Sequence, residues 1–168
     1  PPDIDGMVGQ YAHGNEPSHH VAYLFAYAGQ PYKTQAMVRR LLREQYHDAR
    51  NGLSGNEDCG QMSAWFVLSA LGLYAVDPVS GNYIVGSPLF KRATLDVGNG
   101  RTLRIVANNN SAQNVYVQSL RWNGAATNRA WLRHADLAAG GTLEFEMGRK
   151  PNPAFGANKQ DLPPSFAS

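Results

Sequence analysis

The sequence predicts an α+β fold, with helices in the first half of the chain and antiparallel strands in the second. Apolar residues recur at helical spacing up to about residue 78, and from there they alternate with polar ones. Each predicted helix has a wide apolar face, and three such helices cannot enclose a large core alone. They are therefore expected to form part of a helical barrel. The expected divisions are 1–78 for the barrel helices, 79–150 for the antiparallel β region and 151–168 for an extended C-terminal tail.

Composition and charge narrow the class of protein. Of the 168 residues, 43% are hydrophobic and 17% are charged, which is typical of a globular chain with room for one domain. The net charge of +2 is too small to predict a nucleic-acid partner, and no apolar run reaches the roughly 18 residues that cross a membrane. The single cysteine, Cys59, excludes an internal disulfide. The opening Pro-Pro, without an initiator methionine, favours the C-terminal portion of a longer protein.

The first helix is predicted at residues 17–28. Asn15 is a suitable N-cap, Pro17 suits an early helical position, and Gly29 ends the segment. Its expected buried stripe consists of the apolar residues at helical spacing, namely Val21, Leu24, Phe25 and Ala28.

A second helix is predicted at residues 33–46 and a third at residues 61–71, with Gly72 as the stop of the third. The second helix is expected to bury its apolar face, which consists of Met37, Val38, Leu41 and Leu42. Its charged residues are expected to point outward; they are Arg39, Arg40, Arg43 and Glu44. The third helix is expected to bury Trp65, Leu68 and Leu71 on one face.

Five or six strands are predicted between residues 82 and 148. The segments that alternate, or that carry β-branched and aromatic residues, are NYIVGS, RATLDVG, TLRIVAN, NVYVQSLRWNG and TLEFEMG. Glycine, asparagine and proline lie between them, which predicts an antiparallel arrangement.

The first polar cluster is HGNEPSHH, at the start of the first predicted helix. Part of it has a structural interpretation, since Asn15 and Ser18 suit a helix cap and His20 lies beside the apolar stripe. Glu16 next to Asn15 offers oxygen ligands, which suits a hard cation such as calcium. Zinc is disfavoured, because the adjacent histidines His19 and His20 point to different sides of a helix.

The second polar cluster is GLSGNEDCGQMSAW, at the start of the third predicted helix. In one interpretation Asp58 caps that helix and Glu57 is an exposed charge. In the other, Glu57 or Asp58 holds an attacking water that Asn56 and Gln61 orient. The sequence alone does not decide between these two interpretations. The presence of two such clusters at helix N-termini favours the catalytic interpretation. In helical barrels these loops gather at one end, where a pocket can form.

Several longer motifs resemble the C-terminal part of the glycoside hydrolase family 92 α-mannosidases. They are HGNEPSHH, YAGQPYKTQ, GLSGNEDCGQMSAWFVLSALGLYAVDPVSGNYIVGSPLF and LEFEMGRKPN, and they occur in order across residues 7–152. The resemblance implies part of an (α/α)6 helical barrel followed by a β-sandwich-like region. It also implies calcium-dependent, inverting, exo-acting hydrolysis of α-mannosides.

The resemblance implies roles for residues of both clusters. Asp58 is the first choice for the general base and Glu57 the second, while Asn15 and Glu16 are expected to bind calcium. The expected contacts to sugar hydroxyls are His13, His19 and Gln61. The family's general acid is a glutamate upstream of these motifs, so the chain is expected to carry only the base half of the site and to be inactive alone. Tyr11 and Ala12 stand near where some members carry a His-Glu pair, which leaves the linkage open.

The expected partners are mannose-containing glycans and the remainder of the same enzyme chain. Enzymes with this role are usually exported, so a secreted or periplasmic location is expected. The alternative is a non-catalytic carbohydrate-binding or structural module. Its motivation is the aromatic residues of the β region, Tyr116, Trp122 and Trp131, which could form a platform for sugar rings.

Overall fold

The computed structural model describes residues 5–165, and the first half of this part contains three α-helices. Two short strands, β1 (Met7–Val8) and β2 (Tyr11–Ala12), pair antiparallel before them. The helices are α1 (Leu24–Tyr27), α2 (Pro31–Glu44) and α3 (Gln61–Ala70). Three helices do not close a barrel, so the (α/α)6 barrel stays an expectation about a longer protein. No helix within residues 5–165 is long and apolar enough to cross a membrane.

The predicted helix at residues 17–28 is wrong in its form and in its buried face. The chain makes two 3-10 turns, Glu16–Ser18 and Val21–Tyr23, before the single turn of α1. With three residues per turn instead of 3.6, the side chains rotate away from the predicted stripe. The residues that become buried are Ala22, Tyr23 and Ala26, whereas Val21, Leu24 and Phe25 are 40%, 42% and 39% exposed. Ala28 is exposed as well.

Helix α2 begins two residues earlier than predicted and buries one of its arginines. Arg39 is only 8% exposed, although the prediction placed it outward. Its guanidinium donates to the carbonyls of Pro88 and Ser111 and to Oδ1 of Asn110. The long arginine side chain extends past its apolar neighbours to these oxygens. The prediction used only the spacing of apolar residues, which gives no information about such polar partners.

The strands that follow α3 in the described part of the chain form two sheets, and one strand pair is parallel. The three-stranded sheet has the order β3–β4–β9, with β3 at Leu73–Tyr74, β4 at Asn82–Val85 and β9 at Trp131–Arg133. The five-stranded sheet has the order β5–β6–β10–β7–β8, with β5 at Arg92–Asp96, β6 at Thr102–Asn108, β7 at Tyr116–Trp122, β8 at Ala125–Thr127 and β10 at Gly141–Gly148. The short helix α4 (His134–Ala138) was not predicted.

The prediction of a wholly antiparallel β region is therefore wrong for one pair of strands. Strand β10 pairs parallel with β6 and antiparallel with β7. It can do so because the chain leaves the larger sheet after β8, passes through β9 and α4, and then returns between β6 and β7. A parallel pair needs such a crossover, whereas a hairpin does not.

Alternate residues of the large sheet form one core, and the C-terminal tail packs against it. Leu103 and Ile105 of β6 and Phe145 of β10 are buried in this cluster. Phe155 belongs to the same cluster at 2% exposure, and Asp161 is buried with a hydrogen bond from Asn158. The tail therefore packs onto the chain itself up to residue 165, and residues 166–168 lie outside the described part.

Candidate functional site

The two polar loops meet where their backbones are in contact. A methyl group added at Gly55 would lie 2.5 Å from the carbonyl oxygen of Gly14, and one added at Gly14 would lie 2.7 Å from the carbonyl oxygen of Ser54. Gly55 also has a φ of +86°, which favours glycine. The fold therefore brings the HGNEPSHH loop against the loop that precedes α3, although about forty residues separate them.

Replacing Gly55 with alanine is expected to push the two loops apart. The left-handed φ and the contact with Gly14 together should lower the free energy of unfolding by about 1–3 kcal/mol and reduce activity of the full-length protein. Gly98→Ala is a matched control, because Gly98 has a φ of +83° and nothing lies within 4 Å of the position that its new methyl group would take. Thermal unfolding and turnover of both variants measure the difference; equal losses would show that the loop contact is unimportant.

His13 lies beneath the junction and is fully enclosed. Its Nδ1 is 2.8 Å from the hydroxyl of Tyr11, and its Nε2 is 2.7 Å from the hydroxyl of Tyr46. Because the Tyr46 hydroxyl donates to the carbonyl of Met62 at 3.1 Å, we assign the proton of His13 to Nε2. Burial, with a smaller effect from His19, lowers the pKa of His13 to about 3. His13 has 0% exposure, so its predicted role as a direct sugar contact does not fit, and it supports the site from below.

His19 connects the two loops through both nitrogens of its ring. Its Nε2–H donates to the carbonyl of His13 at 2.9 Å, so its Nδ1 can accept, and the amide nitrogen of Gln61 lies 3.1 Å from it. The same amide of Gln61 is 3.2 Å from the hydroxyl of Tyr74. The indole of Trp65, fully buried in the core, donates to the carbonyl of His19 at 3.0 Å.

The carboxylates of both clusters act on His19. Burial lowers the pKa of His19, while its hydrogen bond to the backbone of His13 and the charges of Glu16 and Asp58 raise it. Glu16 from the first loop and Asp58 from the second are thus both within electrostatic reach of one imidazole. The contact of the two loops and this shared influence on His19 place both carboxylates in one region of the fold.

Glu57 caps helix α3, a role that the sequence had suggested for Asp58. The backbone N–H of Ser63 donates to one carboxylate oxygen of Glu57 at 3.0 Å, and the hydroxyl of Ser63 donates to the other at 3.0 Å. A carboxylate bound at a helix N-terminus also interacts favourably with the helix dipole. Both oxygens of Glu57 are therefore engaged in holding the start of α3.

Asp58 stands in a turn of the loop that has left-handed backbone. Asp58, Cys59 and Gly60 are three consecutive residues with left-handed backbone, at φ values of 53°, 55° and 97°. Non-glycine residues in this region cost of order 1–3 kcal/mol each, and such strain is concentrated at functional sites. The turn brings Asp58 to the first turn of α3, where its carbonyl accepts from the N–H of Gln61 at 3.2 Å.

Asn15 and Glu16 offer part of a cation site. Asn15 has extended backbone and its side chain does not cap the turn that follows, while Glu16 is exposed. Among residues 5–165, no group of three or more His, Cys, Asp or Glu side chains is placed to hold a metal ion. Calcium takes six to eight oxygen ligands. The oxygen donors of Asn15 and Glu16 suit calcium chemically, but they supply only a minority of its ligands.

The aromatic residues of the β region do not form one platform. Trp122 and Trp131 line a small cavity of about 180 Å³, whereas Tyr116 lines a different one. Trp131 is only 7% exposed, and the guanidinium of Arg129 lies over its ring at 5.3 Å from the centroid. The observation that motivated a carbohydrate-binding module is therefore not supported by the arrangement of these three side chains.

Comparison with known proteins identifies the group to which this fold and these loops belong. The family model described as the glycosyl hydrolase family 92 catalytic domain matches residues 1–149. The chain belongs to glycosyl hydrolase family 92. A curated family relative is an uncharacterized secreted glycosidase of Arthroderma benhamiae, which is 30% identical over 158 residues, covering 92% of this chain and 20% of that protein.

Solved structures of family 92 proteins share the fold closely. An α-mannosidase of Bacteroides thetaiotaomicron in complex with mannoimidazole has a TM-score of 0.95 and 41% identity, covering 98% of this chain and 22% of that one. An inverting mannosidase of the same organism has a TM-score of 0.90 and 41% identity, covering 95% and 22%. The chain thus spans about a fifth of the length of these relatives.

Proposed function

We propose that the chain is the C-terminal segment of a calcium-dependent, inverting exo-α-mannosidase that hydrolyses terminal α-mannosides of glycans. The observation that carries the proposal is the contact between the two polar loops at Gly14 and Gly55, and the charges of Glu16 and Asp58 both influence the pKa of His19. Membership of family 92 and the likeness to two mannosidases of known structure support the reaction class. Mannose-containing glycans and the remainder of the enzyme are the proposed partners.

Asp58 is proposed as the general base. An inverting glycosidase needs one carboxylate to activate a water and a carboxylic acid, roughly 6.5–9.5 Å away, to protonate the leaving oxygen. Glu57 is the second choice, because both of its oxygens already bind Ser63. Asp58 is the first choice because of its position in the motif, and it lies on a turn with left-handed backbone.

The remaining site residues are proposed to position the sugar. Asn15 and Glu16 would hold calcium, which when bound polarises and orients sugar hydroxyls. Gln61 is half-buried and aligned by its contacts with His19 and Tyr74, so it is the best placed of the predicted sugar contacts. His19 is 1% exposed and aligns Gln61, while His13 fixes His19 through its own backbone carbonyl.

The general acid is proposed to lie in the part of the enzyme that precedes these motifs. Neither Glu57 nor Asp58 can serve as both acid and base in one inverting displacement, because the two groups act on opposite faces of the sugar. This chain then provides the base and part of the cation site. By analogy with the secreted glycosidase of Arthroderma benhamiae, we propose that the enzyme is secreted or periplasmic.

The full-length enzyme is expected to hydrolyse an aryl α-mannoside and to release β-mannose first, whereas residues 1–168 alone should release none. Early NMR spectra of the product distinguish the two anomers before they interconvert. Activity of the full-length enzyme should be lost with a calcium chelator and restored by calcium.

Two outcomes would contradict this. Release of α-mannose as the first product would exclude inversion. Robust hydrolysis by residues 1–168 alone would exclude an acid outside this chain.

A further inference from the structure

A cavity on the far side of α2 is lined by four arginines. It has a volume of about 540 Å³ and lies between α2, the loop before β7 and the residues after β10. The arginines are Arg39, Arg40, Arg43 and Arg149. The cavity shares no residue with the two polar loops, so what it binds is a question separate from the proposed catalysis.

The positive charge of this arginine cavity is not balanced by its lining. Arg40 forms a salt bridge with Glu44 at 2.8 Å, the only salt bridge among residues 5–165. No aspartate or glutamate is among the residues that line the cavity in the described part of the chain. Arg39 bonds only to neutral oxygens, those of Pro88, Ser111 and Asn110. Three cations therefore face one concave space without an anion.

Arg39 is held rigidly with part of its guanidinium unused. Its Nη1 makes two hydrogen bonds and its Nη2 makes one, to the oxygens just named. A guanidinium has five N–H donors, so the Nε–H and the second Nη2–H are not engaged by residues 5–165. Guanidinium N–H groups that remain available in this way bind oxyanions. Burial, and to a smaller extent the nearby charge of Arg43, lower the pKa of Arg39.

We propose that the arginine cavity binds a phosphate group. A phosphomonoester carries about −1.5 to −2 charges at neutral pH, which matches three uncompensated arginines better than the single charge of a carboxylate. Arginine forks fit the geometry of phosphate oxygens. Tyr116 and Gln113 line the same cavity and add neutral hydrogen-bonding groups. The phosphate is either free or attached to a sugar, and the two sources share this chemistry.

Titration calorimetry of the full-length protein tests the proposal with two probes, inorganic phosphate and a hexose 6-phosphate, at constant ionic strength. Saturable binding of at least one probe is expected. The Arg43→Gln/Arg149→Gln double variant should bind at least tenfold more weakly. Tighter binding of the hexose phosphate would identify the sugar-linked source, and equal binding would identify free phosphate.

The matched control is Arg104→Gln, which removes one exposed arginine from β6 between the buried Leu103 and Ile105. It should bind the probes as the wild type does. Absence of saturable binding of both probes would overturn the proposal. Unchanged affinity in the double variant, or an equal loss in Arg104→Gln, would also overturn it.

Discussion

Replacing Asp58 with asparagine is expected to lower the turnover of the full-length enzyme by roughly 10²- to 10⁴-fold while the protein still folds and binds calcium. Asparagine has nearly the same shape and accepts the left-handed backbone that Asp58 adopts at a φ of 53°. It cannot take a proton from water at neutral pH. The loss should therefore appear in kcat, with the Michaelis constant changing little.

Glu57→Gln is the matched variant, since it removes the neighbouring carboxylate with an equally small change in shape. Glu57 binds the backbone N–H and the hydroxyl of Ser63, so its loss should lower stability by about 0.5–2 kcal/mol. Its turnover should remain within about tenfold of the wild type. If Glu57→Gln loses turnover and Asp58→Asn keeps it, the base is Glu57 and the assignment of the two residues is reversed.

The regular elements were predictable because their signals are local. Helix α3 ends within one residue of its predicted end, and most strands occur where the alternation of apolar residues placed them. Apart from the 3-10 turns before α1 and the short helix α4, the errors concern information that is not local. Arg39 finds its partners 49 to 72 residues away along the chain, and the parallel pairing of β10 with β6 depends on the path of the chain through β9 and α4.

The residues of the proposed site stand out in the sequence because of their motifs, but the sequence does not assign a role to each of them. Neighbouring carboxylates look alike in a sequence, and only the bonds of Glu57 to Ser63 distinguish the helix cap from Asp58. The tyrosines around His13 were missed for a similar reason. Tyr46 is 33 positions away from His13, and nothing in its surroundings in the sequence marks it as a partner.

The stability of the protein is expected to fall steeply between pH 6.5 and pH 3, because the folded state keeps His13 neutral. Burial lowers the pKa of His13 from 6.5 to about 3. In this window the unfolded chain binds a proton that the folded chain does not, so the free energy of unfolding decreases as the pH falls. Above about pH 6.5, His13 makes its full contribution to the free energy of unfolding. This contribution is lost at about 1.4 kcal/mol per pH unit, to a total on the order of 5 kcal/mol near pH 3.

Urea unfolding midpoints between pH 7.5 and pH 4.5 measure this dependence. His19, whose pKa is also lowered chiefly by burial, contributes in the same direction. The His13→Gln variant should be less stable at pH 7.5, because Gln does not fill the space between Tyr11, Tyr46 and the edge-on ring of Trp65. Its midpoint should nevertheless vary less with pH. The exposed His20 provides the control, since His20→Gln should keep the slope of the wild type. If the pH dependence of the unfolding midpoint were the same in His13→Gln as in the wild type, the prediction would be wrong. The imidazole of His13 could then be protonated in the folded protein, and the interior beneath the two loops would accommodate a charge.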